Sequence, residues 1–261
     1  MKNPRKYGCA PFSVAVIHGG PGAAGEMAPV AQELSQYQGI LEPLQTKTTV
    51  DGQIQELGHI IKDHGDAPVT LIGHSWGAWL AIMYTVRYPL TVKKIILVSS
   101  GPFEEKYVPQ ITQTRLNRMN EEEKQKLQSL VNILNDSHEK QKDKVFAQVG
   151  SFFLHTDSYQ LLKTTKSKMR VQYRIFENIW KEADGMRRSG KLITLGEQLR
   201  CSVVAIHGDY DPHPFEGVKK PLSKIVQEFT FILLKKCGHY PWIERYAKKK
   251  FYEILKKELL T

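Results

Sequence analysis

The sequence predicts an α/β fold, a mostly parallel sheet of about six strands with helices on its faces and a helical cap inserted between two strands. Three observations carry that prediction. Short runs rich in β-branched and aliphatic residues, at 12–17, 69–72, 95–98 and 203–206, each lead into a cluster of Gly, Ser or His. Helix-like stretches at 27–37, 53–64 and 76–88 alternate with the early strands, as a parallel sheet with crossover helices requires. Strand signals then stop between about 103 and 199, where the apolar spacing becomes helical.

Taken in chain order, the first strong strand, 12–17, ends at His18-Gly19-Gly20-Pro21-Gly22. A weaker strand candidate follows at 40–44. The second strong strand, 69–72, ends at Gly73-His74-Ser75-Trp76-Gly77, and the third, 95–98, at Ser99-Ser100-Gly101-Pro102. In the inserted stretch Asn120 and Glu123 have the form of a helix-starting capping box, after which Leu127, Leu130, Val131 and Leu134 share one helical face. A second helical pattern runs through Leu162, Met169, Tyr173, Phe176 and Trp180. The sheet resumes at 203–206 and closes with a candidate at 229–234. Beyond it Ile243, Tyr246, Ala247, Ile254 and Leu255 fall on one face of a terminal helix, leaving Lys248, Lys249 and Lys256 mostly outward. The expected division is a core of residues 1–103 and 198–261 and a cap of residues 104–197.

Composition narrows the function classes. The chain has 261 residues, 41% hydrophobic and 25% charged, a balance that fits a globular protein and excludes a disordered one. No apolar run approaches the roughly 20 residues of a membrane span, and the polar start has no signal core, so a cytoplasmic location is expected. Cys9, Cys201 and Cys237 are odd in number and widely spaced, so they read as reduced thiols rather than a zinc or redox motif. The net charge of +10 comes without zinc-finger spacing or an aromatic RNA-binding signature. It reads as a lysine-rich exterior, with no nucleic-acid partner.

The strongest chemical signal is the G-x-S-x-G run around Ser75, set directly between a strand and a helix. A sharp strand-to-helix turn leaves no room for flanking side chains, so glycines pack closely while the serine hydroxyl is held out at the sheet edge. The glycine-rich turn after the first strand suits a second need of acyl transfer, backbone N–H donors for an oxyanion. Pro21 has no N–H to give, so Gly20 is the donor expected from that loop, paired with Trp76, the residue after the nucleophile. Nucleotide binding is disfavoured because neither G-x-G-x-x-G nor a following Gly-Lys-Ser/Thr is present.

With these motifs the chain resembles the α/β-hydrolase superfamily over nearly its whole length, and HGGPG with GHSWG looks most like the branch containing proline iminopeptidases. The resemblance implies an acid and a histidine after the serine in chain order. His207-Gly208-Asp209-Tyr210-Asp211-Pro212 is similar to the family's acid turn and selects Asp211, with Asp209 as the competitor. Cys237-Gly238-His239-Tyr240-Pro241 resembles its histidine loop and selects His239. His18, His74 and His207, also at strand ends, are expected to orient loops. The chain departs from the family pattern in starting almost at the HGGPG strand, which gives the expectation of about six strands, and in Ala78, where many relatives have glycine.

The implied mechanism is acyl transfer by a Ser75-Asp211-His239 triad with an oxyanion hole at Gly20 and Trp76, calling for no metal or organic cofactor. The expected substrate is a small ester or amide. Alternatives are an aminopeptidase of the proline iminopeptidase type, an acyltransferase with the same triad, and a non-catalytic ligand-binding protein. By resemblance to the cap glutamates that hold a substrate's amino terminus in proline iminopeptidases, Glu177 is the candidate substrate-binding residue. An ordinary surface pairing with Lys181, four residues on, is the competing reading.

Overall fold

The computed structural model describes residues 2–162 and 169–260. In chain order the strands and helices are β1 (Arg5–Tyr7), β2 (Val14–Ile17), β3 (Ala23–Ala24), α1 (Ala28–Leu34), β4 (Ile40–Glu42), α2 (Val50–His64), β5 (Val69–His74), α3 (Trp76–Arg87) and β6 (Val92–Val98). There follow α4 (Val108–Asn117), α5 (Glu121–Asn135), α6 (Lys142–Thr156), β7 (Arg170–Val171), α7 (Tyr173–Arg188) and α8 (Lys191–Gly196). The chain then re-enters the sheet with β8 (Ser202–Gly208), α9 (Glu216–Ile225), β9 (Phe229–Leu234) and α10 (Lys248–Leu260).

Seven strands form the main sheet in the order β1-β4-β2-β5-β6-β8-β9, all parallel except β1, which pairs antiparallel with β4. The sheet therefore has one strand more than the six expected. The extra one is the three-residue edge strand Arg5-Lys6-Tyr7, whose two cations and short length give no apolar run. Charge on a short edge strand also blunts pairing with other chains.

The inner strands are buried on both faces, which is why they read as continuous apolar runs instead of alternating ones. Leu71, Ile95, Leu97 and Val203 point to one side, where they pack with Leu57, Trp79, Tyr84 and Ile179. Ile72, Ile96, Val98 and Val204 point to the other, against Met27, Leu34, Phe251 and Leu255. From β2 the chain moves outward to β4 and then crosses back to β5 on the other side of β2. The strand order thus reverses between β2 and β5. In open α/β sheets the crevice at such a reversal, beyond the carboxyl ends of the strands, is where ligands bind.

Helices α4 to α8 lie in sequence between the adjacent strands β6 and β8. The capping box at the start of α5 is formed in both directions, Asn120 Oδ1 accepting from Glu123 N–H and Glu123 from Asn120 N–H, each at 2.9 Å. Leu130 and Leu134 pack with Val149 and Tyr173 in a small cluster of their own. Helices α7 and α8 belong to the main core instead, through Ile175, Ile179, Ala183 and Leu192. Trp180 of α7 stacks on Trp79 of α3 with ring centroids 5.9 Å apart.

Two helix readings need correction. The pattern running back from Tyr173 to Met169 and Leu162 is not one helix, since α7 starts at Tyr173. Arg170 and Val171 are extended and pair with β3, and Leu162 N–H is bonded to the Ile243 carbonyl. Residues 163–168 between them lie outside the described residues. At the carboxyl end α10 begins only at Lys248, after a short 3-10 turn at Pro241–Ile243, and Tyr246 is 52% exposed. Glu244, at the end of that turn, is extended, with φ −86° and ψ 129°, and so separates it from the helix. Ile254 and Leu255 do bury, together with Phe251 and Tyr252.

Candidate active site

Four loops meet at the carboxyl end of the sheet. Ser75 sits between β5 and α3 with φ 51° and ψ −115°, a conformation that a residue with a side chain rarely adopts. Such strain persists only where the surroundings fix it. Here Ser75 N–H is bonded to the Val98 carbonyl at 2.9 Å, and neither neighbouring glycine can gain a side chain. A Cβ on Gly73 would strike the Gly77 backbone, and one on Gly77 would strike the Ile17 carbonyl of β2. The turn is thereby wedged against the strand that carries the HGGPG loop.

Trp76 and Gly20 each present a backbone N–H that meets no protein acceptor among the described residues. Trp76 is the first residue of α3, where helix N–H groups have no internal partner. Its indole N–H is shared by Gln45 Oε1 at 3.0 Å and Gln53 Oε1 at 3.1 Å, which fixes the start of the helix. In the HGGPG loop the neighbouring donor, Gly19 N–H, is already given to Glu26 Oε2 at 2.7 Å. Gly20, with φ 30°, keeps its own.

On the far side of the elbow, Asp211 and His239 come together from loops after β8 and β9. Asp211 Oδ2 accepts from His239 Nδ1 at 2.8 Å, with both side chains buried. Burial alone would raise the pKa of Asp211, but His239, His213 and His207 together outweigh it and hold the carboxyl well below its usual range. Burial opposes charge on His239 too, yet the Asp211 charge and hydrogen bond leave its pKa above the ordinary 6.5. Asp209 stands apart from this pair: it accepts from Cys237 N–H at 3.3 Å and faces Lys235. No hydrogen bond joins Ser75 Oγ to His239 among the described residues. Hydrogen bonds between a nucleophile and its base are commonly long in the absence of substrate.

His74 links the two halves of the site. Its Nδ1 lies 2.8 Å from Glu26 Oε2 and its Nε2 3.0 Å from the His239 carbonyl, so the elbow and the histidine loop are tied through one ring. His18 accepts from Gln45 N–H at 3.2 Å, and His207 Nε2 contacts the His213 carbonyl at 2.9 Å. Three residues that sequence reasoning missed also hold the site. Glu26, four residues past the glycine loop, lies partly buried beside the elbow, where His74 and Gly19 N–H lower its pKa against the effect of desolvation. Asp157, at the end of α6, is fully buried, gives its carbonyl to His239 N–H at 2.7 Å and takes a bidentate contact from Arg115 of α4. His213 is the third: its Nδ1 lies 2.8 Å from Asp211 Oδ1 and its ring stacks on His239 with centroids 4.4 Å apart. Burial pushes its pKa down to about 4 in spite of Asp211. No spacing rule identifies Glu26 or Asp157, whereas His213 stands two residues after Asp211 and could have been flagged.

Glu177 lies on the exposed face of α7, where Tyr173 Oη donates to it at 3.2 Å, and no ion pair joins it to Lys181 among the described residues. A cavity of about 290 Å³ opens between α4, α5, α6 and Tyr210, lined by Arg118, Lys126, Phe152 and His155. Its lining does not include Ser75. Cys9, Cys201 and Cys237 are free thiols, and burial raises the Cys237 pKa, which makes it a poor nucleophile despite its place beside His239.

Comparison with known proteins agrees with this architecture. The family profile of the alpha/beta hydrolase fold matches residues 14–246. Among solved structures, VinJ superposes with a TM-score of 0.68 at 14% identity, covering 98% of this chain and 93% of its own. A structure from the study of carboxylesterases of Nitrososphaera gargenis gives 0.66 at 19% identity, covering 98% and 93%. The monoacylglycerol lipase of Paleococcus ferrophilus gives 0.62 at 14%, covering 99% and 98%. No curated protein sequence matches the chain. Identities this low speak for the fold alone, while the profile spans most of the chain: it belongs to the alpha/beta hydrolase fold family.

Proposed function

We propose that the protein is a serine hydrolase that cleaves a small ester or amide through an acyl-enzyme intermediate. The observation that carries this reading is the buried Asp211–His239 pair, at 2.8 Å, in the same loop cluster as a strained serine elbow. Asp211 holds the His239 Nδ1–H and leaves Nε2 as the base. Ser75 Oγ attacks the substrate carbonyl while His239 takes its proton, and the N–H groups of Gly20 and Trp76 hold the oxyanion. His239 then protonates the leaving group, and water, deprotonated by the same ring, releases the acid.

Esters are the favoured substrates, since the structural neighbours include carboxylesterases and a monoacylglycerol lipase. The HGGPG and GHSWG motifs keep one second reading, an aminopeptidase that holds a substrate ammonium at Glu177 in a cap of residues 104–197. A panel of p-nitrophenyl esters of graded length, run beside prolyl and alanyl anilides, separates the two. Ester turnover that disappears in Ser75→Ala, with no anilide cleavage, is expected. Anilide turnover that falls about 10- to 100-fold in Glu177→Gln while ester turnover holds would establish the peptidase instead. Turnover of none of these substrates, with no Ser75 labelling, would sink both.

A further inference from the structure

The Asp211 carboxylate holds two imidazoles, one on each oxygen. Oδ2 faces His239 Nδ1 and Oδ1 faces His213 Nδ1, both at 2.8 Å, and the two rings are stacked with an interplanar angle of 26°. One ligand atom from each of the three residues lies within 4.8 Å of the others. The proton relay needs only one of these rings, and His213 has no part in it. The His213 side chain is also 12% exposed, so the cluster opens to solvent on that side.

We propose that Asp211, His213 and His239 bind a zinc ion, and that its binding switches the enzyme off. Two imidazoles and one carboxylate are a donor set that zinc takes in open, three-ligand sites, leaving a fourth position for water. Magnesium and calcium prefer oxygen ligands and are poorly served by two nitrogens. Zinc–ligand distances of about 2.0–2.2 Å place tetrahedral ligand atoms about 3.3 Å apart. To share one ion the two rings must tilt out of their present stack so that both Nδ1 lone pairs, which lie in the ring planes, converge beside the carboxylate. Arg115, whose charge acts on both rings, does not repel the metal unopposed, because its guanidinium is held by Asp157 in a bidentate pair.

The proton balance gives the inhibition. Each ring now presents Nδ1–H to Asp211; on coordination the Nδ1 lone pair goes to zinc, its proton leaves to solvent, and solvent returns one to Nε2. For two neutral rings no net proton is released. His239 then carries hydrogen on Nε2, the atom that must accept the serine proton, so the base is lost while Ser75 is untouched. Metal binding rests on the geometry alone, and only this inhibitory consequence rests on the proposed hydrolase function.

The test is calorimetric titration of the chelator-treated protein with zinc sulfate, for wild type, His213→Gln and Ser75→Ala. Wild type and Ser75→Ala should each bind one ion with the same affinity. His213→Gln should bind more weakly by at least the roughly 10- to 100-fold that loss of a mere outer-shell partner costs. Cobalt(II) added to the wild type should give the intense visible absorption of a tetrahedral site, which keeps the test open if His213→Gln does not fold. Zinc should also inhibit ester turnover reversibly, with chelator restoring it and with the inhibition constant following the binding constant. Absence of saturable zinc binding, unchanged affinity in His213→Gln, or an octahedral cobalt spectrum would overturn the site. Saturable binding at full ester turnover would overturn the inhibition, and a protein that turns over neither esters nor anilides and is not labelled at Ser75, yet still binds zinc at His213, would retain the site and refute the hydrolase reading.

Discussion

Two regions of the molecule face each other across the carboxyl end of the sheet, and they are held together differently. At the sheet edge a chain of polar contacts ties the loops together: Glu26 holds His74 and Gly19, His74 holds the His239 carbonyl, and Asp211 holds His239 and His213. In the helical insert most side chains of α5 are exposed, and Leu130, Leu134, Val149 and Tyr173 make a small separate cluster. The difference teaches where sequence constraint resides. Chemistry needs particular residues in particular turns, whereas α5 and α6 need only an apolar stripe.

Substitutions at the edge should therefore cost activity and those in the insert should cost stability. The largest effect is expected from the acid. Asp211→Asn leaves His239 without its anionic partner and should lower kcat by about a thousandfold or more, with an unchanged circular dichroism spectrum. Asp209→Asn, which loses only contacts to Cys237 N–H and Lys235, should stay within a few-fold of wild type. The reverse ranking would show that the acid is misassigned.

Stability sharpens the comparison inside the insert itself. Ile179 of α7 is fully buried in the main core, so Ile179→Ala should destabilise by about 3–5 kcal/mol in urea unfolding. Leu134→Ala, in the small cluster of α5 and α6, should cost only about 2 kcal/mol, because the surroundings there can close around the gap. Equal losses would mean that α5 and α6 are as firmly packed as α7. Smaller again is Asn120→Ala, which removes the capping box from α5 and should cost about 1 kcal/mol in the same measurement.

The smallest expected effect is on pH dependence. On the proposed mechanism His239 must be neutral to take the serine proton, and its pKa is raised in the fold, so kcat/KM should rise with pH through a midpoint above 6.5. Asp211 stays ionised throughout that range, because its own pKa is depressed. A midpoint below 6.5 would mean that burial of His239 outweighs the carboxylate.

The same contrast explains what the sequence revealed. Strands β2, β5, β6 and β8 were legible because burial on both faces demands unbroken apolar runs, and the turns after β2 and β5 because their glycines have no steric substitute. Strand β1 was not, since a charged three-residue edge has no pattern to show. In the insert the capping box was readable from Asn120 and Glu123, a local motif, while the start of α7 was not. Its boundary is set by the pairing of Arg170 and Val171 with Ala23 and Ala24, far away in sequence. Glu26 and Asp157 were hidden for the same reason: their partners, His74 and Arg115, meet them only in the fold.

On the proposed mechanism Ser75 is the nucleophile activated by this cluster. The most direct measurement is the intact mass of the protein after reaction with a fluorophosphonate, followed by mapping of the modified peptide. The account predicts one adduct per chain, located on Ser75, absent in Ser75→Ala and formed much more slowly in Asp211→Asn. No adduct on the wild type, or an adduct that persists in Ser75→Ala, would contradict it.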